Sequence, residues 1–267
     1  MLYAPSGLNF CTTLNYDIYR FGEIDSTNSY LLELGDKGFP EGTVAVADEQ
    51  TSGRGRFGRK WQAEPLSSLL FSILLRPDFL NRDEVFILTF SAAVAVADAI
   101  ENVTRIKSEL KWPNDILFRG RKLCGILLES KFEGDKLNFV VLGIGLNVNQ
   151  TVFPDEIVTS AVSLSMVAGR SFDREELLSS ILFHFNDIYE SLKRKDFYSI
   201  MRRWRDRSTM FGKRVRFNVA GRETEGILEE VTDDGAISIE TSSGVLKFTA
   251  GEITISEINR LGAGGVK

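Results

Sequence analysis

Histidine and cysteine are almost missing from this 267-residue chain: one histidine, His184, and two cysteines, Cys11 and Cys124, without CxxC spacing. A single histidine excludes multi-histidine metal sites and leaves one candidate for any Ser–His or Cys–His pair. So few cysteines argue against a disulfide framework and read as reduced thiols of a cytoplasmic protein. No run of about 18 uncharged apolar residues occurs, which excludes a membrane-spanning helix. The first twenty residues have no basic start followed by an apolar block and do not read as a secretory signal. Basic excess is lacking too: 32 Lys+Arg against 37 Asp+Glu gives −5, which argues against a fold that coats nucleic acid. With 43% apolar and 26% charged residues, the chain is neither disordered nor collagen-like. Its length is near twice the roughly 150-residue domain average, which favours one large domain with a smaller one.

Residues 1–16 carry no period and read as an irregular lead-in. Tyr19, Phe21 and Ile24 alternate as in a strand, and the caps Asp25-Ser26-Thr27-Asn28 open a short helix closed by glycine. TVAVA (43–47) and SLLFSILL (68–75) read as strands, the second apolar enough to be covered on both faces. Asn81 with Glu84 makes a capping box ahead of a long apolar segment, 84–103, expected to be the central buried helix. Strands are expected near 105–111 and at 115–118, 125–132 and 137–147, and helices at about 173–195 and 197–207. After Gly212, short strands alternate with turns at Gly221, Asp234-Gly235 and Ser243-Gly244, the texture of a small β-barrel or sandwich. The domain boundary falls near 208–212.

The segment Gly53-Arg54-Gly55-Arg56-Phe57-Gly58-Arg59-Lys60-Trp61 is the most informative one. Gly53, Gly55 and Gly58 match GxGxxG, but a dinucleotide loop runs directly into a helix, and here a strand follows. Four cations separated by glycines read instead as a polyphosphate clamp, mobile through mutual repulsion until an anion orders it. A solvated basic turn is the alternative. In KWPND (111–115), Pro113 holds Trp112 extended, so that Asn114 and Asp115 present an amide and a carboxylate from a rigid corner. A carboxylate beside a polyphosphate holds Mg²⁺ or orients a nucleophile; an ordinary Asx turn is the alternative. Lys122, at the entrance to an apolar strand, offers a point charge to a carboxylate or phosphate, or is an exposed hairpin lysine. Gly143 and Gly145 interrupt an alternating strand, either because backbone presses against a ligand or because of a bulge. His184 sits on an apolar helix and reads as a core or half-buried histidine.

Taken together, STN at 26–28, GRGRFGRKW at 53–61, KWPND at 111–115, KLCGIL at 122–127 and GIGLNVN at 143–149 resemble the biotin–protein ligase family. The order and spacing match over about residues 17–260. The resemblance implies an α+β fold, a mixed β-sheet backed by helices of class II synthetase type, over residues 1–209. It also implies a small SH3-like β-barrel over 210–267. It places Ser26, Thr27, Asn28 and Gln50 in the biotin site, with Gly53, Arg54, Gly55 and Arg56 on the loop closing over biotin and the adenylate. Gly125, Gly143 and Gly145 become backbone positions along the biotin pocket. Lys122 corresponds to the lysine contacting the biotin carboxylate and the phosphate, and Asp115 to the catalytic-site aspartate. Arg56, Arg59, Trp61, Asn114 and Asn147 fall on the nucleotide side. Mg²⁺ is expected on the phosphates, with Asp115 its candidate protein ligand. Cys124 occupies a small-residue position and reads as packing.

The implied chemistry joins biotin to Mg²⁺-ATP as biotinyl-5′-AMP and then passes biotin to a lysine of a biotin carboxyl carrier domain. The first step brings two anions together, so cations must meet the developing charge, and Arg54, Arg56 and Lys122 are the candidates. The catalytic pattern starts by residue 17, leaving no room ahead of it for a DNA-binding helix-turn-helix, so neither DNA nor a membrane is an expected partner; homodimerisation at a sheet edge is compatible with the resemblance. A lipoate or octanoate ligase or transferase of the related fold is the nearest rival. The polar Ser-Thr-Asn segment favours biotin's ureido ring over a plain acyl chain. A nucleic-acid-binding module is a rival of a different class, opposed by the acidic net charge.

Overall fold

The run SLLFSILL becomes a strand whose eight residues are all buried, which only an apolar segment tolerates at the centre of a covered sheet. A computed structural model describes residues 2–8, 14–219, 222–249 and 253–255 of the chain. Cys11 and the turn expected at Gly221 lie outside the described residues. The chain divides into two compact units, Met1–Arg207 and Ser208–Lys267.

In the first unit, strands β1 (Leu2–Leu8), β2 (Tyr16–Ile24), β3 (Thr43–Gln50), β4 (Ser68–Leu75), β5 (Glu109–Lys111), β6 (Asp115–Phe118), β7 (Arg121–Glu133) and β8 (Lys136–Asn147) form one sheet. Its order is β1-β2-β3-β4-β8-β7-β6-β5. Only β2 and β3 pair in parallel, so the sheet is mixed as expected. The expectation of an irregular lead-in is corrected by β1, which pairs antiparallel with β2. Its sequence, LYAPSGL, contains proline and glycine, and an edge strand tolerates both because one side of its backbone needs no partner.

Helices α1 (Thr27–Asp36), α2 (Ile87–Thr104), α3 (Leu164–Ala168), α4 (Arg174–Lys193) and α5 (Phe197–Asp206) complete the unit. Ser26 caps α1, its hydroxyl accepting from the Ser29 amide at 3.4 Å. Leu31 and Leu34 of α1 pack with Ala45, Ala47, Leu74, Phe139 and Val141 on one face of the sheet. On the other, α2 packs against β5, β6 and β7 and is covered by α4 and α5. Its burial on nearly all sides explains the unbroken apolar run. The Asn81–Glu84 capping box is present, but it closes a single 3₁₀ turn before α2 begins at Ile87. His184 is half-buried on α4, its ring edge-on to Phe183. Helix α3 lies in a stretch, 150–172, whose composition announced no element.

The second unit is a five-stranded antiparallel sheet of β9 (Arg214–Val219), β10 (Arg222–Val231), β11 (Ile237–Thr241), β12 (Gly244–Phe248) and β13 (Ile253–Ile255). The order is β12-β11-β10-β9-β13, and among the described residues the two ends do not pair. The small SH3-like β unit expected here is thus present as an antiparallel sheet that is not a closed barrel, built over Val215, Phe217, Leu228, Val231, Ile237 and Ile239.

Candidate active site

Side chains alternate across a strand, so the register fixes which residues share a face. Asp115 of β6 pairs with Gly125 of β7, Gly125 with Gly145 of β8, and Gly145 with Leu70 of β4. One row further along the same face run Leu127, Gly143, Ser72 and Ala45. The face is the one on which α1 packs, and three glycines hollow it into a trough.

Two side chains lie in that trough. A Cβ on Gly143 would stand 2.0 Å from Asn28 Oδ1, and one on Gly145 would stand 2.6 Å from Trp61 Cε2. A Cβ on Gly125 would meet the Trp61 ring at 2.9 Å and Lys122 Nζ at 3.1 Å. Close approach, rather than a bulge, accounts for these glycines. Lys122 stands on the rim, its Nζ 2.6 Å from Asp115 Oδ1 and 5.7 Å from the centre of the Trp61 ring.

The backbone of Lys122 is held by a segment that sequence reasoning did not nominate. Its amide donates to the Ser160 carbonyl at 2.6 Å, and its carbonyl accepts from the Val162 amide at 2.9 Å. Asn147, 3% exposed, donates to the carbonyls of Val162 at 3.1 Å and Lys122 at 3.4 Å. Asn147 Oδ1 and Trp61 Nε1 are both buried with no hydrogen-bond partner. Buried polar atoms are normally satisfied, so an orphan acceptor and an orphan donor here fit a ligand that brings the complementary groups.

The floor beside α1 is a directional hydrogen-bond chain. The Thr27 amide donates to Gln50 Oε1 at 2.8 Å, and the hydroxyls of Thr27 and Ser72 lie 2.7 Å apart. Ser72 donates to Asn28 Oδ1 at 2.5 Å, and the Thr27 hydroxyl also donates to Gln50 Oε1 at 3.2 Å, so its one proton is shared between Gln50 and Ser72. Asn28 Nδ2 in turn donates to Glu129 Oε2 at 2.8 Å. Thr27, Asn28, Gln50 and their neighbours thus come together as expected, whereas Ser26 is spent on capping α1. Ser72 and Glu129 were missed. Their signals, a serine in an otherwise apolar strand and a carboxylate just after the apolar run of β7, are faint.

The arginine loop is closed on itself. The Trp61 amide donates to the Gly53 carbonyl at 2.9 Å and the Gly55 amide to the Arg59 carbonyl at 2.7 Å. A Cβ on Gly53 would lie 2.5 Å from the Trp61 carbonyl, so glycine is required there. The expectation of crowded, unpartnered arginines is corrected. Arg54 Nη2 pairs with Glu129 Oε2 at 2.7 Å, and Arg56 Nη1 donates to Asn114 Oδ1 at 3.2 Å. The Asn114 amide donates to the Ile126 carbonyl at 2.6 Å, tying the KWPND turn to β7. Residues 52–60 with Leu127 and Glu129 line an open cleft of about 610 Å³, with Arg59 exposed on its wall. Cys124 is fully buried, and burial drives its thiol well above the ordinary range despite the nearby Lys122 ammonium. That makes it packing and not a nucleophile.

Residues 21–147 match the model of the Biotin/lipoate A/B protein ligase family, and residues 210–255 that of the Biotin protein ligase C terminal domain. The chain is 37% identical to the bifunctional ligase/repressor BirA of Bacillus subtilis, over 87% of this chain and 72% of that protein. It is 32% identical to the biotin--[acetyl-CoA-carboxylase] ligase of Mycobacterium tuberculosis, over 85% of each. The structure of Aquifex aeolicus biotin protein ligase in complex with biotin and ATP superposes with a TM-score of 0.77 at 32% identity, covering 90% of this chain and 98% of that one. The family model and these relatives define the first unit as a ligase domain. The chain belongs to the biotin protein ligase family.

Proposed function

We propose that the protein activates biotin with Mg²⁺-ATP, forming biotinyl-5′-AMP and pyrophosphate. It then transfers the biotinyl group to the ε-amine of a specific lysine in a biotin carboxyl carrier domain of a carboxylase, releasing AMP. The observation that carries this reading is the Lys122–Asp115 pair at the rim of the trough, beside the orphan polar atoms of Trp61 and Asn147. We assign the trough walled by Gly125, Gly143 and Gly145, with Thr27, Asn28 and Gln50, to biotin. Trp61, Asn114 and Asn147 face the nucleotide, and Arg56 and Arg59 its phosphates.

In the first step the biotin carboxylate attacks the α-phosphorus and pyrophosphate leaves. Lys122 reaches toward both anions and offsets the charge that develops as they join, the electrostatic role with the largest leverage in phosphoryl chemistry. Asp115 holds the ammonium in place until substrate takes over its hydrogen bonds. Mg²⁺ enters with the ATP. Asp115 is the carboxylate that would be offered to the metal, which would supply charge neutralisation at the phosphates. In the second step the carrier lysine attacks the mixed anhydride, and a loop that excludes water protects that anhydride. We place the reaction in the cytoplasm; no described helix is long and apolar enough to cross a membrane.

The test is mass spectrometry of the protein incubated with Mg²⁺-ATP and, separately, biotin, lipoate or octanoate. Biotinyl-AMP formed with biotin alone is the expected result. Lipoyl- or octanoyl-AMP in its place overturns the substrate, and no adenylate with any acid overturns the reaction.

A further inference from the structure

Glu129 lies on β7 on the same face as Gly125 and Leu127, across from Val141 of β8. One of its oxygens, Oε2, accepts from two donors that come from different parts of the site. Arg54 Nη2, on the arginine loop, is 2.7 Å away, and Asn28 Nδ2, on the pocket floor, is 2.8 Å away. Glu129 also lines the cleft that the loop encloses. The Arg54 bridge therefore ties the loop to the rigid sheet.

The second bond has its own consequence. Asn28 is 4% exposed, and its Oδ1 takes the Ser72 proton at 2.5 Å. An amide can turn end for end unless its partners distinguish oxygen from nitrogen. An ionised carboxylate only accepts, so Glu129 binds the NH₂ end and leaves Oδ1 toward Ser72 and Gly143. The polarity of the floor, Ser72 to Asn28 to Glu129, ends on this carboxylate, with the Leu127 carbonyl a longer second acceptor for the same Nδ2 at 3.5 Å.

We propose that Glu129 is a positioning residue that acts in two ways. Through Arg54 it anchors the arginine loop over the acyl-adenylate, and through Asn28 it locks the orientation of an amide in the biotin pocket. The inference rests on the biotin-ligase reading above. Its two parts separate experimentally, because Arg54 serves only the first.

The experiment loads the full-length protein with biotinyl-AMP made in place from Mg²⁺-ATP and labelled biotin, then follows release of the adenylate on rapid dilution. The wild type must first form biotinyl-AMP; if it does not, the function assignment has failed and not the anchor. Both Glu129→Ala and Arg54→Ala are expected to release the adenylate about tenfold faster, the scale of one charge-assisted hydrogen bond discounted for part exposure. The double variant is expected to release it no faster than Glu129→Ala alone, since Arg54 has no bond left to lose once the carboxylate is gone. Glu129→Gln, which keeps the shape but can donate as well as accept, is expected to raise KM for biotin several-fold while leaving KM for ATP unchanged. Should Glu129→Ala fail to fold, the comparison of Arg54→Ala with Arg54→Lys still reads the anchor. Release at the wild-type rate in Arg54→Ala, or single effects that multiply in the double variant, overturns the anchor. An unchanged biotin KM in Glu129→Gln overturns the orientation role.

Discussion

Gly143→Ala adds a single methyl to the middle of β8, and the structure says where it goes. The new Cβ would lie 2.0 Å from Asn28 Oδ1 and 2.8 Å from Asn28 Cγ, so Asn28 must leave its place. Leaving breaks the bonds to Ser72 and Glu129 in a setting where Asn28 is 4% and Ser72 0% exposed. A buried polar group stranded this way costs about 1–3 kcal/mol. Replacing glycine within a strand returns about 0.5–1 kcal/mol through the unfolded chain. The net expectation is a loss of about 1–2 kcal/mol, or about 2–8 °C in the melting temperature of a unit this size. Gly145→Ala is the control. Its Cβ meets Trp61 at 2.6 Å, but Trp61 is half-buried at the end of a loop and can swing aside. That variant is expected to lose under about 1 kcal/mol and to increase iodide quenching of tryptophan fluorescence, because Trp112 and Trp204 are 1% exposed and stay hidden. Thermal and urea unfolding of the ligand-free protein, followed by circular dichroism, gives the stabilities. The decisive comparison repeats Gly143→Ala on an Asn28→Ala background, where the methyl has room and its penalty should mostly vanish. A Gly143→Ala protein within about 0.5 kcal/mol of wild type, or an equal penalty on both backgrounds, would mean that Asn28 is not what the methyl displaces.

Two further outcomes follow from buried ionisable groups. Tyr189 donates to Glu41 Oε2 at 2.9 Å, and burial together with that carboxylate raises its phenol well above its ordinary value. Below about pH 10 folded and unfolded phenols are both protonated; above it only the unfolded one ionises, so stability falls as pH rises. Alkaline unfolding should begin near pH 10 and be shallower in Tyr189→Phe, and identical pH profiles would contradict the assignment. Cys124, buried beneath the site with its thiol held protonated, should resist iodoacetamide at pH 8 in the folded protein and react once urea unfolds it. Fast labelling of the native thiol at that position would contradict the packing role.

What the sequence disclosed and what it hid divide along a physical line. Strands β6 and β9 and the buried helix α2 were legible because their signal, period and apolar continuity, is local. The edge strand β1 was not, since Pro5 and Gly7 suit an edge and carry no strand period, and β13 and α3 are too short to show one. Motif residues such as Lys122, Asp115 and the three glycines were found by order and spacing, and the register then showed why they share one face. Glu129 and Ser72 stayed hidden. A carboxylate whose partners are 75 and 101 residues away leaves no trace in its own neighbourhood. The same long range misled the reading of the arginine loop, whose crowded charges lacked partners only while the rest of the chain was out of view.

The proposed chemistry turns on Lys122, at the rim of the glycine trough, standing at the reacting atoms. Single-turnover formation of biotinyl-AMP by Lys122→Gln, measured by rapid quench at saturating biotin and Mg²⁺-ATP beside its melting temperature, isolates that role. The expected rate is at least about 100-fold below wild type, the usual loss for a preorganised group that meets developing charge, in a protein that melts where the wild type does. A rate within about threefold of wild type in that folded variant, less than about 1 kcal/mol of barrier, would remove Lys122 from the chemistry and the proposed mechanism with it.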